Sequence, residues 1–351
     1  MPCKSNSFAI FVTMKAICVK AAHELEIQER PMPVITDAEQ VLIKVRTAGI
    51  CGSDMHVYHG TSPVATYPRV MGHEIAGEII ETGSSVRQFA VGDRVVIDPV
   101  IHCGECYQCK IGRQNVCSKL QVRSVHVDGG FQEYVVVPQS SVYKIPDQLS
   151  WEEAVMIEPF TIAEQTCWRA GLTRDDTVFI MGAGPVGLSI LKRAKISGVK
   201  CIVSDIVESR LQMALAFGAD AVIDAAKENV LEKLIELTDG QKPSVVIDAV
   251  CTVKSFEQTL DYVCSAGRII TLGFHSSPSA ITQLSITARE IDIRGSRLHN
   301  NKFPEVIEWF ATGKLQVKEM ITHQFPFEKI REAIALIEDP TIEKGKVVLQ
   351  F

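Results

Sequence analysis

The apolar residues of this chain follow two rhythms. Up to about residue 150 they come in short runs: 40–46 (QVLIKVR), 78–81 (EIIE), 94–98 (RVVID) and 133–137 (EYVVV). Gly72, Gly83, Gly92, Pro99, Gly129, Gly130 and Pro138 break these runs. Short strands punctuated by turn residues predict an antiparallel β domain, a partly open barrel. From about residue 175 the rhythm changes. Apolar runs at 177–181, 201–205, 221–223, 244–248 and 268–272 alternate with helical stretches at 185–197, 210–217, 228–237 and 253–264. That alternation predicts a parallel, doubly wound sheet. After Gly295 come helices at 303–311 and 327–337, then a closing strand at 346–351 that is expected to return to the first domain. Residues 1–13 make a poor signal peptide and are expected to be an extension, with Met14 opening the first strand.

Composition narrows the field without naming a chemistry. The 351 residues suffice for two domains, and 46% hydrophobic with 22% charged is ordinary for a full core. The net charge of −6 and the lack of a basic run argue against nucleic acid or anionic membrane as partners. No apolar stretch reaches the roughly 18 residues a transmembrane helix needs. Eleven cysteines, odd in number, fit the reducing cytoplasm as thiols and metal ligands.

Four of those cysteines fall within fifteen residues: Cys103, Cys106, Cys109 and Cys117. Thiolates spaced this closely suit one tetrahedral zinc ion with no open position, a structural site. Gly182-Ala-Gly184-Pro185-Val186-Gly187 follows an apolar strand and opens a helix. The first glycine permits the tight turn, the second admits a pyrophosphate, and the third lets helix and strand pack closely. Asp205 lies 23 residues beyond Gly182, placed to accept ribose hydroxyls and to repel a 2′-phosphate. NAD is therefore expected rather than NADP, with Arg210 near the adenine. Upstream, Cys51, His73, Glu74 and Glu158 are residue types that a catalytic zinc prefers, though spacing alone does not join them.

Together these motifs resemble the zinc-dependent medium-chain alcohol and polyol dehydrogenases. The likeness rests on Gly49-Ile-Cys51-Gly-Ser53-Asp54, Gly72-His73-Glu74, Gly92–Val95, the four cysteines, Asp128–Tyr134, Glu158-Pro159 and Gly182–Gly187, in family order. Glu158, where the alcohol dehydrogenases carry a cysteine, points to the sorbitol dehydrogenase-like branch. The wording at 67–73 and 124–130 is most similar to bacterial sugar-acid dehydrogenases, L-galactonate oxidoreductase and the starvation-sensing dehydrogenases among them.

The resemblance implies a GroES-like catalytic domain (residues 1–159 and 297–351) beside a Rossmann domain (160–296), and a homodimer or homotetramer. It implies two zinc ions per chain, one catalytic and one structural. Cys51 and His73 would bind the catalytic zinc, with Glu74 or Glu158 as third ligand. Asp54 would orient the histidine, Ser53 and His56 would relay a proton, and Arg297 would reach the substrate. The implied reaction is oxidation of a secondary hydroxyl of a sugar acid or polyol by hydride transfer to NAD. A threonine-type amino-alcohol dehydrogenase and a catalytically inactive binding protein on the same fold are the alternatives. Tyr58, His102, His126, Arg297 and the 299–301 loop are candidate pocket residues. His23, His59, His275 and His323 show no partner, and Trp151 and Trp168 are expected in the core.

Overall fold

The computed structural model describes residues 12–351, so the expectation of an N-terminal extension lies, apart from Val12 and Thr13, outside the described residues. The chain opens with a hairpin, Thr13–Ala21 against Glu24–Pro31, joined by the short strand Arg69–Val70. Beside it stands a seven-stranded sheet organised by the long strand Gln40–Ile50. Glu74–Thr82 pairs along nearly its whole length. Tyr134–Pro138 pairs with residues 40–44, and the closing strand Lys346–Gln350 pairs antiparallel with residues 47–50. The last strand therefore does return to the first domain, and it brings the neighbouring strand Ile321–Pro326 with it.

The second half holds six parallel strands in the order Ala221–Asp224, Lys200–Asp205, Thr177–Met181, Val245–Asp248, Arg268–Thr271, Asp292–Gly295. Parallel strands are covered on both faces, so they read as unbroken apolar runs. Val178, Phe179, Ile180, Val245, Val246 and Ile247 are all fully buried. The strand order reverses between Thr177–Met181 and Val245–Asp248, which opens a crevice at the carboxyl ends of the strands.

One element escaped the periodicity reading. Ile157–Ala170 is a fourteen-residue helix, and ten of its residues are buried. A helix covered nearly all round has no polar stripe to announce it. It crosses the sequence position where the two domains were expected to divide. Phe160 meets Phe310 edge-on at 5.7 Å, and a single core runs from the parallel sheet through this helix to Ala76, Val96 and Val348. Trp151 is partly buried under the Arg94 guanidinium, 4.0 Å from the ring, but Trp168 is not a core residue: it is 48% exposed. Cys167 and Cys201 are buried as small side chains, whereas Cys251 and Cys264 are only half-buried. No helix among the described residues is long and apolar enough to cross a membrane.

The tightest packing in the parallel sheet is glycine on backbone. A Cβ on Gly187 would sit 1.9 Å from the Gly182 carbonyl oxygen. Gly187→Ala must push helix from strand, and is expected to cost about 1–3 kcal/mol. Urea unfolding checks this, and an unchanged midpoint would contradict the packing.

Candidate functional site

Three ligand atoms from distant parts of the chain converge at the end of the long central strand. The Cys51 thiol, the His73 ring and the Glu74 carboxylate lie within 4.8 Å of one another. Cys51 caps the short helix Gly52–Tyr58, and His73 immediately precedes the strand Glu74–Thr82. Asp54 links them. Its buried carboxylate accepts the backbone N–H of Cys51 at 3.0 Å and that of Gly72 at 3.1 Å. It also lies 3.5 Å from His73 Nδ1, which is 3.1 Å from the Ser124 hydroxyl. Burial works against a charged Asp54, yet His73 and the two N–H donors hold its carboxyl below the usual range. With Nδ1 engaged by oxygens, Nε2 is the nitrogen left for a metal. Gly72 has φ +88°, and a side chain there would strike the Phe131 ring.

Glu74 is bound by a residue that the sequence reading missed. Lys346, on the closing strand, donates to both Glu74 oxygens at 2.5 and 2.8 Å, and both side chains are buried. Burial opposes the lysine's charge, but Glu74 and then Cys51 hold its pKa above the ordinary value. Gly49, beside Glu74 on the partner strand, leaves the space: a Cβ would lie 1.9 Å from Glu74 Oε2. A lone lysine in a short C-terminal strand gives no local signal for this role. Only the strand register brings it to Glu74. Glu158 stands outside the three-residue group but feels it. Burial raises its pKa to about 7, with the Glu74 charge adding and His73, His299 and Lys346 opposing.

The four-cysteine group is built for a tetrahedral ion. Its sulfur pairs Cys106–Cys109, Cys106–Cys117 and Cys103–Cys117 are 3.5, 3.7 and 3.5 Å apart. Thiolates around one zinc at 2.3 Å would stand about 3.8 Å apart, whereas a disulfide would bring two to about 2.05 Å. The backbone N–H groups of Cys103 and Lys119 both point at Cys117 Sγ. The lobe also grips the loop after the parallel sheet. Asn115 donates to the Arg297 carbonyl at 2.8 Å, and Asn300 bonds the Gln114 N–H and the Gly112 carbonyl at 3.0 and 2.5 Å.

The glycine turn has the shape that a dinucleotide needs. Gly182 has φ +93°, Gly184 caps the helix Pro185–Ile196, and a Cβ on Gly184 would meet nothing within 4 Å. Open space over a helix N-terminus is where a pyrophosphate is held. Asp205 anchors this corner by accepting from the N–H groups of Ala183, Ile206 and Val207 at 2.8, 2.8 and 3.0 Å. Arg210 is 3.7 Å from it.

The family model for the alcohol dehydrogenase GroES-like domain matches residues 37–147, and that for zinc-binding dehydrogenases matches 185–312. The starvation-sensing protein RspB of Escherichia coli K12 is 44% identical over 96% of this chain and 99% of its own. This chain belongs to the zinc-dependent medium-chain polyol dehydrogenase family. The dehydrogenase is also similar to a sorbitol dehydrogenase of Bacillus subtilis, 37% identical over 92% of each chain. An L-galactonate-5-dehydrogenase of E. coli K12 is 32% identical over 91% of this chain and 94% of its own. The crystal structure of RspB from E. coli CFT073, complexed with NADH, superposes with a TM-score of 0.92 at 43% identity, covering 97% of this chain and 99% of that one. The fold is the GroES-like domain with a Rossmann-type parallel sheet, and the cofactors are zinc and NAD(H).

Not every expected pocket residue in this dehydrogenase gathers near the three ligands. Ser53 does, with its hydroxyl 3.4 Å from His73 Nε2. His56, one turn further along the same helix, is exposed and bonds Thr61 at 2.8 Å, a partner not anticipated. Arg297 is exposed, with its guanidinium 5.0 Å from the centre of the Phe274 ring. His126 accepts from the Val122 N–H and is lowered in pKa by burial, with the nearby Arg297 charge contributing. His299 is buried and bonded to Asp98 at 3.0 Å. His102 is exposed beside Cys103, and Tyr58 packs with His23 and His59. His59 does have a partner, Glu338 at 2.6 Å, and His323 has Thr322 at 2.9 Å. Pairs so remote in sequence as His59 and Glu338 leave no trace in local spacing.

Lys346→Met would leave the Glu74 carboxylate buried and uncompensated. That is expected to destabilise the dehydrogenase by about 3–5 kcal/mol. Thermal unfolding of the metal-loaded protein tests this, and an unchanged melting temperature would show that the pair contributes nothing.

Proposed function

We propose that this dehydrogenase oxidises a secondary hydroxyl of a sugar acid, with neutral polyols as weaker substrates. The observation that carries the reading is the convergence of Cys51, His73 and Glu74 beside Glu158. In this reading Cys51, His73 and Glu74 hold the catalytic zinc, and Cys103, Cys106, Cys109 and Cys117 hold the structural one. When bound, zinc would polarise the substrate hydroxyl and NAD would accept the hydride. Asp54 fixes the His73 ring through Nδ1. Lys346 keeps Glu74 charged and oriented. Glu158, raised to about 7, faces the substrate hydroxyl as a carboxyl group able to gain or lose a proton near neutrality.

Ser53 and His56 would carry the released proton outward. They sit one turn apart on the helix Gly52–Tyr58, both exposed, with Ser53 against His73 Nε2 and His56 tethered to Thr61. The imidazole suits the outer position because its charge changes near neutral pH. Gly182, Gly184, Pro185, Val186 and Gly187 would hold the NAD pyrophosphate, Asp205 the ribose and Arg210 the adenine. The Asp205 carboxylate would disfavour a 2′-phosphate.

Arg297 is the group that separates sugar acids from polyols. Its exposed guanidinium can take a carboxylate by two parallel hydrogen bonds. The similarity to an L-galactonate-5-dehydrogenase supports that choice, and the sorbitol dehydrogenases support the polyol side. The catalytic domain is taken as residues 1–159 and 297–351 and the dinucleotide domain as 160–296. A homodimer or homotetramer is supported by the outermost parallel strand, Asp292–Gly295, which leaves one edge of the sheet open. Ten free thiols among the described residues suit the reducing cytoplasm.

A panel of hexonates and hexitols, followed by NADH absorbance, tests the assignment. Arg297→Ala is expected to raise KM for the preferred hexonate by roughly 10–100-fold, the worth of a charge-assisted pair. KM for neutral hexitols should stay within about twofold. An equal rise for both classes would remove the carboxylate from the proposal.

A further inference from the structure

Buried polar atoms without partners gather at one place in this molecule. Nine such side-chain atoms occur among the described residues, and five belong to Arg113, Asn115, Gln165 and His299. All four residues surround the seam between the helix Ile157–Ala170 and the loop 297–302. Both amide atoms of Gln165 are unpartnered, and the residue is fully buried. A cavity of about 210 Å³ opens there, lined by Gln165, Trp168, Asn300, Asn301 and Lys302. A buried amide left unsatisfied is destabilising, so its retention in a polar cavity points to a missing partner.

We propose that this cavity binds adjacent hydroxyl groups of a polyhydroxylated small molecule, with the Gln165 carboxamide as the anchor. A carboxamide offers an acceptor oxygen beside N–H donors, the pattern that two neighbouring hydroxyls complement. Lys302 adds to it. Its ammonium has three N–H donors and spends one on Glu164, at 3.1 Å. Arg193 also pairs with Glu164, so the carboxylate is already neutralised. Arg113 and Lys302 lie 5.6 and 5.2 Å from the Trp168 ring centre and make the rim positive. Asn300 has both amide atoms committed to the four-cysteine lobe, which fixes that wall. The volume exceeds the roughly 30 Å³ share of one water several times over.

Two sources could supply these hydroxyls. Gln165 lies seven residues after Glu158 on the same helix face, about 10 Å along the axis. The ligand is then either the far end of a long substrate or a separate polyol. The first case rests on the proposed function and the second does not.

Titration calorimetry of the zinc- and NADH-loaded enzyme with D-sorbitol and D-gluconate tests the site. Saturable binding is expected for at least one probe, weakened at least tenfold by Gln165→Leu. The variant's melting temperature without ligand should be unchanged or higher, because the orphan amide is gone. Gln165→Asn, which withdraws the amide by one methylene, serves if the leucine variant does not fold, with the same weakening expected. Cys51→Ser separates the sources: binding that survives marks a separate molecule, and binding that falls marks a substrate reaching across. If the wild type oxidises no alcohol yet binds a probe through Gln165, the site stands while the catalytic reading falls. No saturable binding of either probe, equal affinity in wild type and variants, or a Gln165→Leu protein altered in subunit association by sedimentation would each overturn it.

Discussion

A single buried carboxylate gathers the metal-binding end of this protein. Asp54 accepts a backbone N–H from the segment carrying Cys51 and another from the segment carrying His73, while lying close to the His73 ring. Neither segment is otherwise fixed to the other at that point, since one is a short helix and the other enters a strand. An ionised acid can afford complete burial only when hydrogen bonds and an opposite charge replace its water. That need forces the two segments together and turns two remote side chains into neighbours. The Phe131 ring beside Gly72 then closes the back of the junction.

The closing strand applies the same logic a second time. Lys346 enters the site only because residues 347–350 pair with residues 47–50, and it meets Glu74 across the space left by Gly49. Catalytic geometry therefore depends on the last residues of the chain as much as on the motifs near its start. The four-cysteine lobe has a parallel task further out. Through Asn115 and Asn300 it holds the loop bearing Arg297 and His299, so a site far from the chemistry shapes the substrate side. The helix Ile157–Ala170 joins the two regions, presenting Glu158 near the metal ligands and Gln165 to the cavity beside that loop.

Much of the architecture was legible because periodicity reports burial on one or both faces of an element. The parallel strands read as apolar runs, and the glycine turn carried its own mechanism in its spacing. Cys51, His73 and Glu74 were legible as residue types, but only the resemblance to a family joined them. Lys346, Thr61 and Ser124 were invisible because tertiary register, not local pattern, gives them their partners. Helix 157–170 hid for a different reason, since it is buried on nearly every side. Trp168 was misjudged as core because size and hydrophobicity say nothing about the cations, Arg113 and Lys302, that flank its exposed ring.

The central claim is that the fold makes one metal site from Cys51, His73 and Glu74 and a second, independent one from the four cysteines. Zinc content per chain, measured by elemental analysis on the wild type, Cys51→Ser and Cys106→Ser, tests it most directly. The account predicts two ions in the wild type and one in Cys51→Ser, with NADH fluorescence still reporting cofactor binding and the melting temperature nearly kept. Cys106→Ser should lose the other ion and lose stability with it. Two ions retained in Cys51→Ser, or both lost from either variant, would contradict the account.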